Sequence, residues 1–408
     1  MERERDTDMY NIRKVTDDIT WIGASDRRLA LFENIFPISR GVSYNSYILL
    51  DEQTVLFDTV DASVAGQFFE NLEAVLEGRT LDYLIVNHME PDHCAMIGDI
   101  VRRYPDVKIV GNTKTFGMMN QFFGTDFAER SIVVKEGDTL SAGKHTLHFV
   151  MAPMVHWPEA MVTYDDVDKV LFSADGFGSF GALNGNIFAD EVDFDRDWLD
   201  DARRYYTNIV GKYGASVQTL LKKAAGLDIA MICPLHGPVW RENLPYILKK
   251  YQKWSTYEAE DQAVVIMYAS MYGNTASAAD ALAGALAVRS VKKIAVYDVS
   301  NTHVSELISE IFRASHLVFA VPTYNAGIYP VMENLLSDMK ALAVQKKTVA
   351  VMENGTWAPT AAKQVKEKLG EMKDMTILDA GLTIKSAMHA GQKAELDALA
   401  DEIVKSMM

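Results

Sequence analysis

The length and charge of the chain exclude several classes of protein. At 408 residues the chain is too long for one ordinary hydrophobic core, so we expect two domains. Its formal net charge of −16 disfavours nucleic acid and anionic membrane surfaces as partners.

Cysteine content and hydropathy narrow the classes further. The sequence holds 2 cysteines, Cys94 and Cys233, which form no C-x-x-C pair, so we expect neither a disulfide framework nor a cysteine-ligated metal domain. The sequence contains no run of about eighteen apolar residues, so we predict no membrane span. The charged N-terminus lacks an apolar signal core, and we therefore expect a cytoplasmic protein.

The first two-thirds of the chain alternates short apolar runs with helical patterns. Apolar runs bounded by turn residues are typical of buried strands. We predict strands at 46–50, 54–58, 83–87, 107–110, 146–151, 169–173 and 229–234. We predict helices at 65–76, 95–104, 113–122 and 198–210, the last resuming near 216–225. This alternation indicates strand layers covered by helices.

The densest group of metal-capable side chains follows the strand at 83–87. The sequence V-N-H-M-E-P-D-H-C places His88, Glu90, Asp92 and His93 in one loop. Loops at strand ends are where rigid scaffolds present functional groups. A mixture of imidazole and carboxylate suits Zn, Mn or non-haem Fe, whereas thiolates or oxygen atoms alone would favour other metals.

Three more metal-capable residues, His156, Asp175 and His236, follow later strands with glycine or proline nearby. A single histidine after a strand is more often a structural residue than a ligand. Repetition of this placement, together with the motif in the first loop, favours a metal site.

The order and spacing of these seven residues resemble those of the flavodiiron proteins, also called A-type flavoproteins. The intervals of 63 residues from His93 to His156, 19 to Asp175 and 61 to His236 agree with that family. The resemblance covers residues from about 10 to 250 and implies an αββα metallo-β-lactamase-like sandwich. Glu90 stands where zinc hydrolases of this fold usually carry histidine, and a carboxylate there suits iron.

The resemblance also implies how the ligands divide between two irons. One iron would be bound by His88, Glu90 and His156, the other by Asp92, His93 and His236, and Asp175 would bridge them. A bridging carboxylate holds two metals close enough to bind one diatomic molecule between them.

Four other residues fall near this predicted centre. Tyr205 and Tyr206 offer phenols such as relatives place near the irons, but core packing explains them equally well. Glu33 falls where some relatives carry a histidine, which leaves the balance between oxygen and nitric oxide open. Cys94 stands where the family more often has serine or alanine; we expect a small buried apolar residue there, and a site sensitive to oxidation is the alternative.

The pattern changes after residue 255, so we predict domains at 1–255 and 256–408. Strands at 263–268, 293–298, 317–321, 347–351 and 375–377 alternate with helices at 275–288, 303–314, 330–342, 361–369 and 392–406. This alternation predicts a doubly wound parallel sheet of flavodoxin type. The expected fold class is therefore an α+β sandwich followed by an α/β domain.

Three loops after strands of this second domain carry groups suited to a flavin. The first is a Ser/Gly/Asn/Thr turn that enters a helix N-terminus, where backbone N–H and hydroxyl groups can hold a phosphate without lysine. Tyr324 and Trp357 offer aromatic faces on which an isoalloxazine could stack. The loops resemble the FMN-binding loops of flavodoxins and of the flavodiiron C-terminal domain. The FMN contacts this implies are Ser270, Met271, Tyr272, Gly273, Asn274, Thr275, Pro322, Thr323, Tyr324, Asn325, Ala326, Gly327, Asn354, Gly355, Thr356 and Trp357.

A chain with FMN and a diiron centre is expected to pass electrons from an external donor to a small substrate. The resemblance implies a terminal reductase that converts O2 to water, NO to N2O, or both, and so protects an anaerobe from oxidative or nitrosative stress. The sequence includes no rubredoxin domain, so the expected donor is separate, with rubredoxin the first candidate and reduced F420 (F420H2) the second. The resemblance also implies a head-to-tail homodimer or a dimer of dimers.

Two other classes of function compete with this interpretation. One is a zinc hydrolase fused to a flavodoxin electron carrier, against which Glu90 and the flavin loops argue. The other is a non-catalytic FMN redox shuttle with a vestigial metal domain, against which the complete ligand set argues.

Overall fold

The structure is a computed structural model that describes residues 10–408. The chain divides into two compact units. Of the described residues, the first unit contains 10–206 together with Ala215–Lys249, and the second contains Thr207–Gly214 and Lys250–Met408. The later division falls inside the helix Leu244–Ser255. Within the described range, no helix is long and apolar enough to cross a lipid bilayer.

Two sheets form the centre of the first unit. In the described residues, one sheet has seven strands in the order Arg13–Lys14, Ile19–Trp21, Tyr47–Leu50, Thr54–Phe57, Tyr83–Ile85, Lys108–Gly111 and Ser131–Val133. The other has five strands in the order Thr139–Ser141, Thr146–Met151, Met161–Asp165, Val170–Phe172 and Met231–Cys233. Two short antiparallel pairs join Ala24–Asp26 to Val42–Tyr44 and Leu31–Phe32 to Phe36–Pro37.

The main core of this unit lies between the two sheets. Phe57 of the seven-stranded sheet stacks on Phe172 of the five-stranded sheet with ring centroids 3.7 Å apart, and Tyr47 contacts the same ring at 5.5 Å. Because successive side chains of a strand point to opposite faces, Leu56 and Leu84 are directed away from this core. Both are nevertheless fully buried, so the outer face of the sheet is covered as well.

Helices provide that cover. Those that lie wholly or partly in the first unit are Ala65–Leu76, Pro91–Cys94, Ile97–Arg103, Thr113–Phe123, Phe194–Asp197, Leu199–Tyr205, Gly214–Ala224 and Leu244–Ser255. The helix Ala65–Leu76 is amphipathic and buries Phe68, Phe69 and Leu72 on one face. Two packed sheets with helices outside them confirm the predicted metallo-β-lactamase-like sandwich.

The second unit is built on one parallel sheet. Its strands follow the order Ile294–Asp298, Asp261–Tyr268, Ala314–Tyr324, Thr348–Asn354 and Thr376–Ile384, and each neighbouring pair is parallel. In chain order this is 2-1-3-4-5, the flavodoxin order. The helices are Asn274–Val288, Val304–Arg313, Pro330–Ala341, Ala361–Gly370 and Lys393–Ser406. The predicted flavodoxin-like domain is thereby confirmed.

Some elements differ from their sequence predictions for identifiable reasons. The strands of two or three residues near the N-terminus are too short to show an alternating pattern. Met161–Asp165 is buried on both faces and therefore shows no alternation either. In the helix Leu244–Ser255, Pro245 reads as a helix breaker but lies in the first turn, where its missing N–H costs little. The helix predicted at 198–210 ends at Tyr205 and continues as one π turn, Tyr206–Val210.

Candidate metal centre and cofactor pocket

The loop that carries four of the predicted ligands is held at its start by a buried carboxylate. Asp58 Oδ1 accepts hydrogen bonds from the backbone N–H groups of Asn87, at 2.7 Å, and His88, at 3.2 Å. Its Oδ2 accepts from the Asn87 side chain at 2.8 Å. The short helix Pro91–Cys94 then places Asp92 and His93 in the interior. Asp58 was not identified from the sequence.

Strand geometry brings the remaining ligands to the same place. Val170–Phe172 and Met231–Cys233 are parallel neighbours, so their carboxyl ends lie at one edge of the sheet. Asp175 and His236 leave the chain just beyond those ends. His156 lies in the loop after Thr146–Met151.

Four of the seven residues form a first group around one point, and these are His88, Glu90, His156 and Asp175. His156 Nε2 lies 3.0 Å from Glu90 Oε2 and 3.0 Å from Asp175 Oδ2. His88 Nε2 lies 3.2 Å from Glu90 Oε2 and 3.3 Å from Asp175 Oδ2. Two imidazole nitrogens and two carboxylate oxygens therefore converge.

Asp92, His93 and His236 form the second group. The Nε2 atoms of the two histidines lie 3.0 Å apart. Asp92 Oδ2 is 3.3 Å from His236 Nε2 and 3.5 Å from His93 Nε2.

The two carboxylate oxygens of Asp175 face different groups. Oδ2 points to His156 and His88, as described above, whereas Oδ1 lies 3.2 Å from His93 Nε2 and 3.7 Å from His236 Nε2. The side chain is almost completely buried. One carboxylate is thus shared between two neighbouring clusters of ligand atoms.

These separations fit a pair of metal ions. Ligand atoms about 2.1 Å from a common ion lie about 3.0–3.4 Å from one another. Both oxygens of Asp92 and Oδ1 of Asp175 are buried without a hydrogen-bond partner among the described residues, and buried carboxylate oxygens without a partner are costly. A cation at the second point of convergence would satisfy Asp92 Oδ2 and Asp175 Oδ1, which both face that point.

The electrostatics of the cluster also favour bound cations. Burial acts to lower the pKa of His88, but the charge of Asp175 and the hydrogen bonds to Asp175, Glu159 and Glu90 together outweigh it and hold that pKa well above its usual value. At His156 burial also acts to lower the pKa, but the hydrogen bonds that carboxylate oxygens of Asp175 and Glu90 accept from Nε2 outweigh it, and the pKa is raised to about 9. The carboxylates thus draw positive charge onto the site, as protons or as metal ions.

Two of the ligand histidines are oriented by hydrogen bonds from Nδ1, the ring nitrogen that does not face the other ligands. His88 Nδ1 donates to Glu159 Oε1 at 2.8 Å, and His236 Nδ1 donates to the Ser43 carbonyl at 2.7 Å. Such partners fix which nitrogen is free to bind a metal. Metal-ligating histidines generally have acceptors of this kind, but the sequence gives no signal of their identity.

Three aromatic rings pack around His236 of the second group, and a fourth contacts His88 of the first. The ring centroids of Phe32, Tyr205 and Tyr44 lie 5.4, 5.4 and 5.8 Å from that of His236. Trp157 contacts His88 in the first group at 5.4 Å. Tyr205 is therefore beside the predicted centre, and the other three rings were not identified from the sequence.

Tyr206 and Glu33 have different surroundings. Tyr206 is fully buried at the start of the π turn. Glu33 lies in the tight turn between Leu31–Phe32 and Phe36–Pro37 with φ +48°. Although the residue as a whole is exposed, burial of its carboxyl group and the charge of Glu90 raise the pKa of Glu33 to about 8. Glu33 thus borders the first group.

The two cysteines are buried thiols. Cys94 donates from Sγ to the Met89 carbonyl at 3.2 Å, and burial raises its pKa to about 12. Since the thiolate is the reactive form of cysteine, this environment agrees with the expected small buried residue and disfavours the alternative of an oxidation-sensitive site.

The three predicted flavin loops of the second unit enclose one pocket of about 430 Å³. Its walls include all but two of the predicted contacts; Gly273 and Gly327 belong to the same loops but do not line it. Ala358 and Ser386 line the pocket in addition. Among the described residues that line it, none carries a charge, so hydroxyl, amide and backbone groups must hold any phosphate. Tyr272 and Trp357 are about nine-tenths exposed at its rim.

Asn354 fastens these loops to one another. Its side-chain nitrogen donates to Thr275 Oγ1 at 3.3 Å and to the Ser386 carbonyl at 3.0 Å. Its side-chain oxygen accepts from the Ser386 N–H at 3.1 Å. Ser386 follows the last strand of the sheet, so a fourth loop, not predicted from the sequence, completes the pocket.

Both halves of the chain match family models. A model described as "ODP family beta lactamase" matches residues 42–237, and one described as "Flavodoxin" matches residues 266–402. The anaerobic nitric oxide reductase flavorubredoxin of Klebsiella pneumoniae is 31% identical over 391 residues, which cover 94% of this chain and 78% of the relative. The protein of the same name from Salmonella typhi is 32% identical, with 94% and 79% covered.

Solved structures agree with this match. Rubredoxin:oxygen oxidoreductase from Desulfovibrio gigas superposes with a TM-score of 0.89 at 29% identity, covering 97% of this chain and 98% of the other. A flavoprotein from Thermotoga maritima gives 0.89 at 27% identity, with 97% and 98% covered. The fold and site define a metallo-β-lactamase-like domain joined to a flavodoxin-like domain. The chain belongs to the flavodiiron protein family, and the resemblance drawn from its seven-residue pattern is confirmed.

Membership of this family makes the protein an oxidoreductase. Its flavodoxin domain implies FMN, and the family's name implies a diiron centre; both cofactors agree with the sequence predictions. The residues present fit both groups, since the pocket is uncharged and open to a flavin and the seven clustered side chains supply two sets of ligand atoms.

Proposed function

We propose that the protein is a terminal reductase that converts O2 to water, NO to N2O, or both, using electrons from an external donor. Two relatives support this range of substrates, one named as a nitric oxide reductase and one as an oxygen oxidoreductase. We further propose that this activity protects an anaerobic cell from oxidative or nitrosative stress.

The observation that carries the proposal is the position of Asp175 between the two groups of ligand atoms. His88, Glu90 and His156 would hold one iron, and Asp92, His93 and His236 would hold the other. Asp175 would bind both through its separate oxygens. When bound, the irons supply two adjacent sites for one diatomic molecule, and FMN supplies electrons singly or in pairs.

The protein's own residues contribute position, charge and exclusion of water. Three carboxylates among seven ligands offset much of the positive charge of two metal ions. The rings of Phe32, Tyr44 and Tyr205 stand around His236 and limit the access of water to that side. In the second unit, the Asn274–Val288 helix begins at the pocket, where its free N–H groups suit the FMN phosphate.

The donor and the assembly belong to the same proposal. We propose rubredoxin as the first candidate donor, because the solved relative from Desulfovibrio gigas is named for rubredoxin. F420H2 is the second candidate. We propose a head-to-tail homodimer, alone or paired with another dimer, as the active unit, since the resemblance implies it. Full specific activity in a preparation that is monomeric by sedimentation would contradict the dimer.

The test is cofactor analysis followed by rapid kinetics. Protein prepared without oxygen should contain about two irons and one FMN per chain, as implied by the site. After chemical reduction, mixing with O2 or NO in a stopped-flow instrument should reoxidise the flavin and consume the gas without releasing peroxide. Active protein that contains only zinc, or a His156→Ala variant that consumes both gases at the original rate, would reject the proposal.

A further inference from the structure

Glu159 is a buried carboxylate that is not among the metal ligands. Its side chain is fully buried. Its Oε1 accepts two hydrogen bonds, from His88 Nδ1 at 2.8 Å and from the Met89 N–H at 2.8 Å. Its Oε2 has no hydrogen-bond partner among the described residues. Both contacts go to the loop that carries the first group of ligands.

The hydrogen-bond partner of Nδ1 differs among the ligand histidines. His236 is held by a neutral backbone carbonyl, that of Ser43. His93 Nδ1 is buried without a hydrogen-bond partner among the described residues. Of these three histidines, only His88 donates from Nδ1 to a carboxylate. The hydrogen bonding behind the ligand histidines therefore differs between the two metal positions.

A purely structural role does not explain why this group is a carboxylate. Burial of a carboxylate with one oxygen unpaired is unfavourable, and a neutral acceptor could receive the same two N–H donors. A carboxylate behind a ligating imidazole fixes its tautomer and makes its free nitrogen a stronger electron donor. The retained charge is therefore best explained by an effect on the metal.

We propose that Glu159 is a positioning residue that directs His88 Nε2 into the metal cavity and makes the two metal positions electronically unequal. This inference rests on the proposed diiron site. The metal position that contains His88, Glu90 and His156 receives the additional negative charge and stabilises the higher oxidation state of its metal. The position that contains Asp92, His93 and His236 lacks this support and is reduced first.

Two variants separate position from charge. Glu159→Gln keeps an oxygen that can accept from His88 and Met89 but removes the charge. Glu159→Ala removes both the acceptor and the charge. The control is Glu136→Gln in the same unit, where a half-exposed carboxylate accepts from Lys223 and from the Met151 N–H.

The readouts are iron affinity by competition with a chelator and the stepwise reduction potentials of the centre by EPR-monitored titration. Glu159→Gln should keep both irons while its first and second reduction steps move closer together and to higher potential. Glu159→Ala should bind one of its two irons about 10- to 100-fold more weakly. The control should match the unmodified protein, and circular dichroism with FMN content should report intact folding in every variant.

The outcomes that overturn the inference are specific. Unchanged reduction potentials in Glu159→Gln would remove the role of the charge, and unchanged iron affinity in Glu159→Ala would remove the positioning role. Failure of the unmodified protein to bind two irons would instead reject the proposed function. The two failures are therefore distinguishable.

Discussion

The Nε2 atoms of His93 and His236 lie 3.0 Å apart in the buried interior of the first unit. One shared proton could join two such nitrogens, but the nearby oxygens of Asp92 and Asp175 would still lack partners. A metal ion among them satisfies both nitrogens together with Asp92 Oδ2 and Asp175 Oδ1. This relationship makes the second metal position testable by itself.

Replacement of His236 should empty that position selectively. His236→Ala removes one of its three proposed terminal ligands, so iron content should fall from about two to about one per chain while FMN content stays unchanged. Metal analysis by mass spectrometry and flavin absorbance measure both quantities. The control is His148→Ala, because His148 is a half-exposed histidine paired with Asp166. Retention of both irons in His236→Ala would contradict the ligand assignment.

Replacement of the shared carboxylate should affect both positions. Asp175→Asn keeps the shape of the side chain but removes the charge between the two groups. We expect weaker binding of both irons, by at least about 10-fold, whereas His236→Ala affects one. A titration with ferrous iron under anaerobic conditions distinguishes the two patterns. Asp166→Asn, on the surface, serves as the control, and a variant Asp175→Asn that loses one iron only would exclude a bridging role.

Asn354, whose side chain joins the loops of the flavin pocket, should control FMN affinity. Asn354→Ala removes three hydrogen bonds that join the loops of Thr275 and Ser386. Loss of buried hydrogen bonds costs about 1–3 kcal/mol, so FMN should bind at least about 5-fold more weakly. Fluorescence titration of the flavin-free protein with FMN measures this change. The iron content of the variant should be unchanged.

The exposed residue Asn301 offers a matched control for that experiment, because its side chain donates to Asp298 on the surface of the same unit. Asn301→Ala should bind FMN like the unmodified protein. Equal FMN affinities in the two variants would show that the hydrogen bonds of Asn354 are not needed for FMN binding.

A buried lysine should make the stability of the second unit depend on pH. Lys347 donates to the carbonyls of Phe312 and Ala314 at 3.0 and 2.8 Å, and burial lowers its pKa to about 7. In the unfolded chain a lysine has a pKa of about 10.4. Between these two values the unfolded state binds more protons, so the free energy of unfolding should rise with pH, by up to about 1.4 kcal/mol per unit.

Lys347→Met should remove this contribution. Urea unfolding at pH 7, 8 and 9 (chosen to lie between about 7 and 10.4) gives the slope for each protein. Lys346→Met is the neighbouring control, since Lys346 is an exposed lysine that donates to the Thr256 carbonyl. Equal slopes in Lys347→Met and the unmodified protein would mean that Lys347 stays charged in the folded state.

The thiol of Cys94 should be unreactive while the protein is folded. Burial raises its pKa to about 12, so almost no thiolate is present near neutral pH. Alkylation by iodoacetamide followed by mass spectrometry should label Cys94 only after denaturation. Rapid labelling in the folded, metal-loaded protein would restore the hypothesis of an oxidation-sensitive site.

Several features of this protein follow from the sequence alone. The order and spacing of His88, Glu90, Asp92, His93, His156, Asp175 and His236 indicated the family, and the alternation after residue 255 indicated the flavodoxin fold. Metal ligands have few alternatives in side-chain chemistry, and repeated strand-loop-helix units have a strong local pattern. Both signals can be recognised without knowledge of which residues distant in the sequence contact one another.

Other features were decided by the tertiary structure. Glu159, Ser43 and Asp58 act on the ligand loops from elsewhere in the chain, and Ser386 reaches the flavin pocket from a fourth loop. A hydrogen-bond acceptor so far away in the sequence can be almost any carboxylate or backbone carbonyl. No sequence pattern therefore indicates which residue provides it. The sequence determined which groups are present, whereas only packing of the two sheets determined which hydrogen bonds orient them.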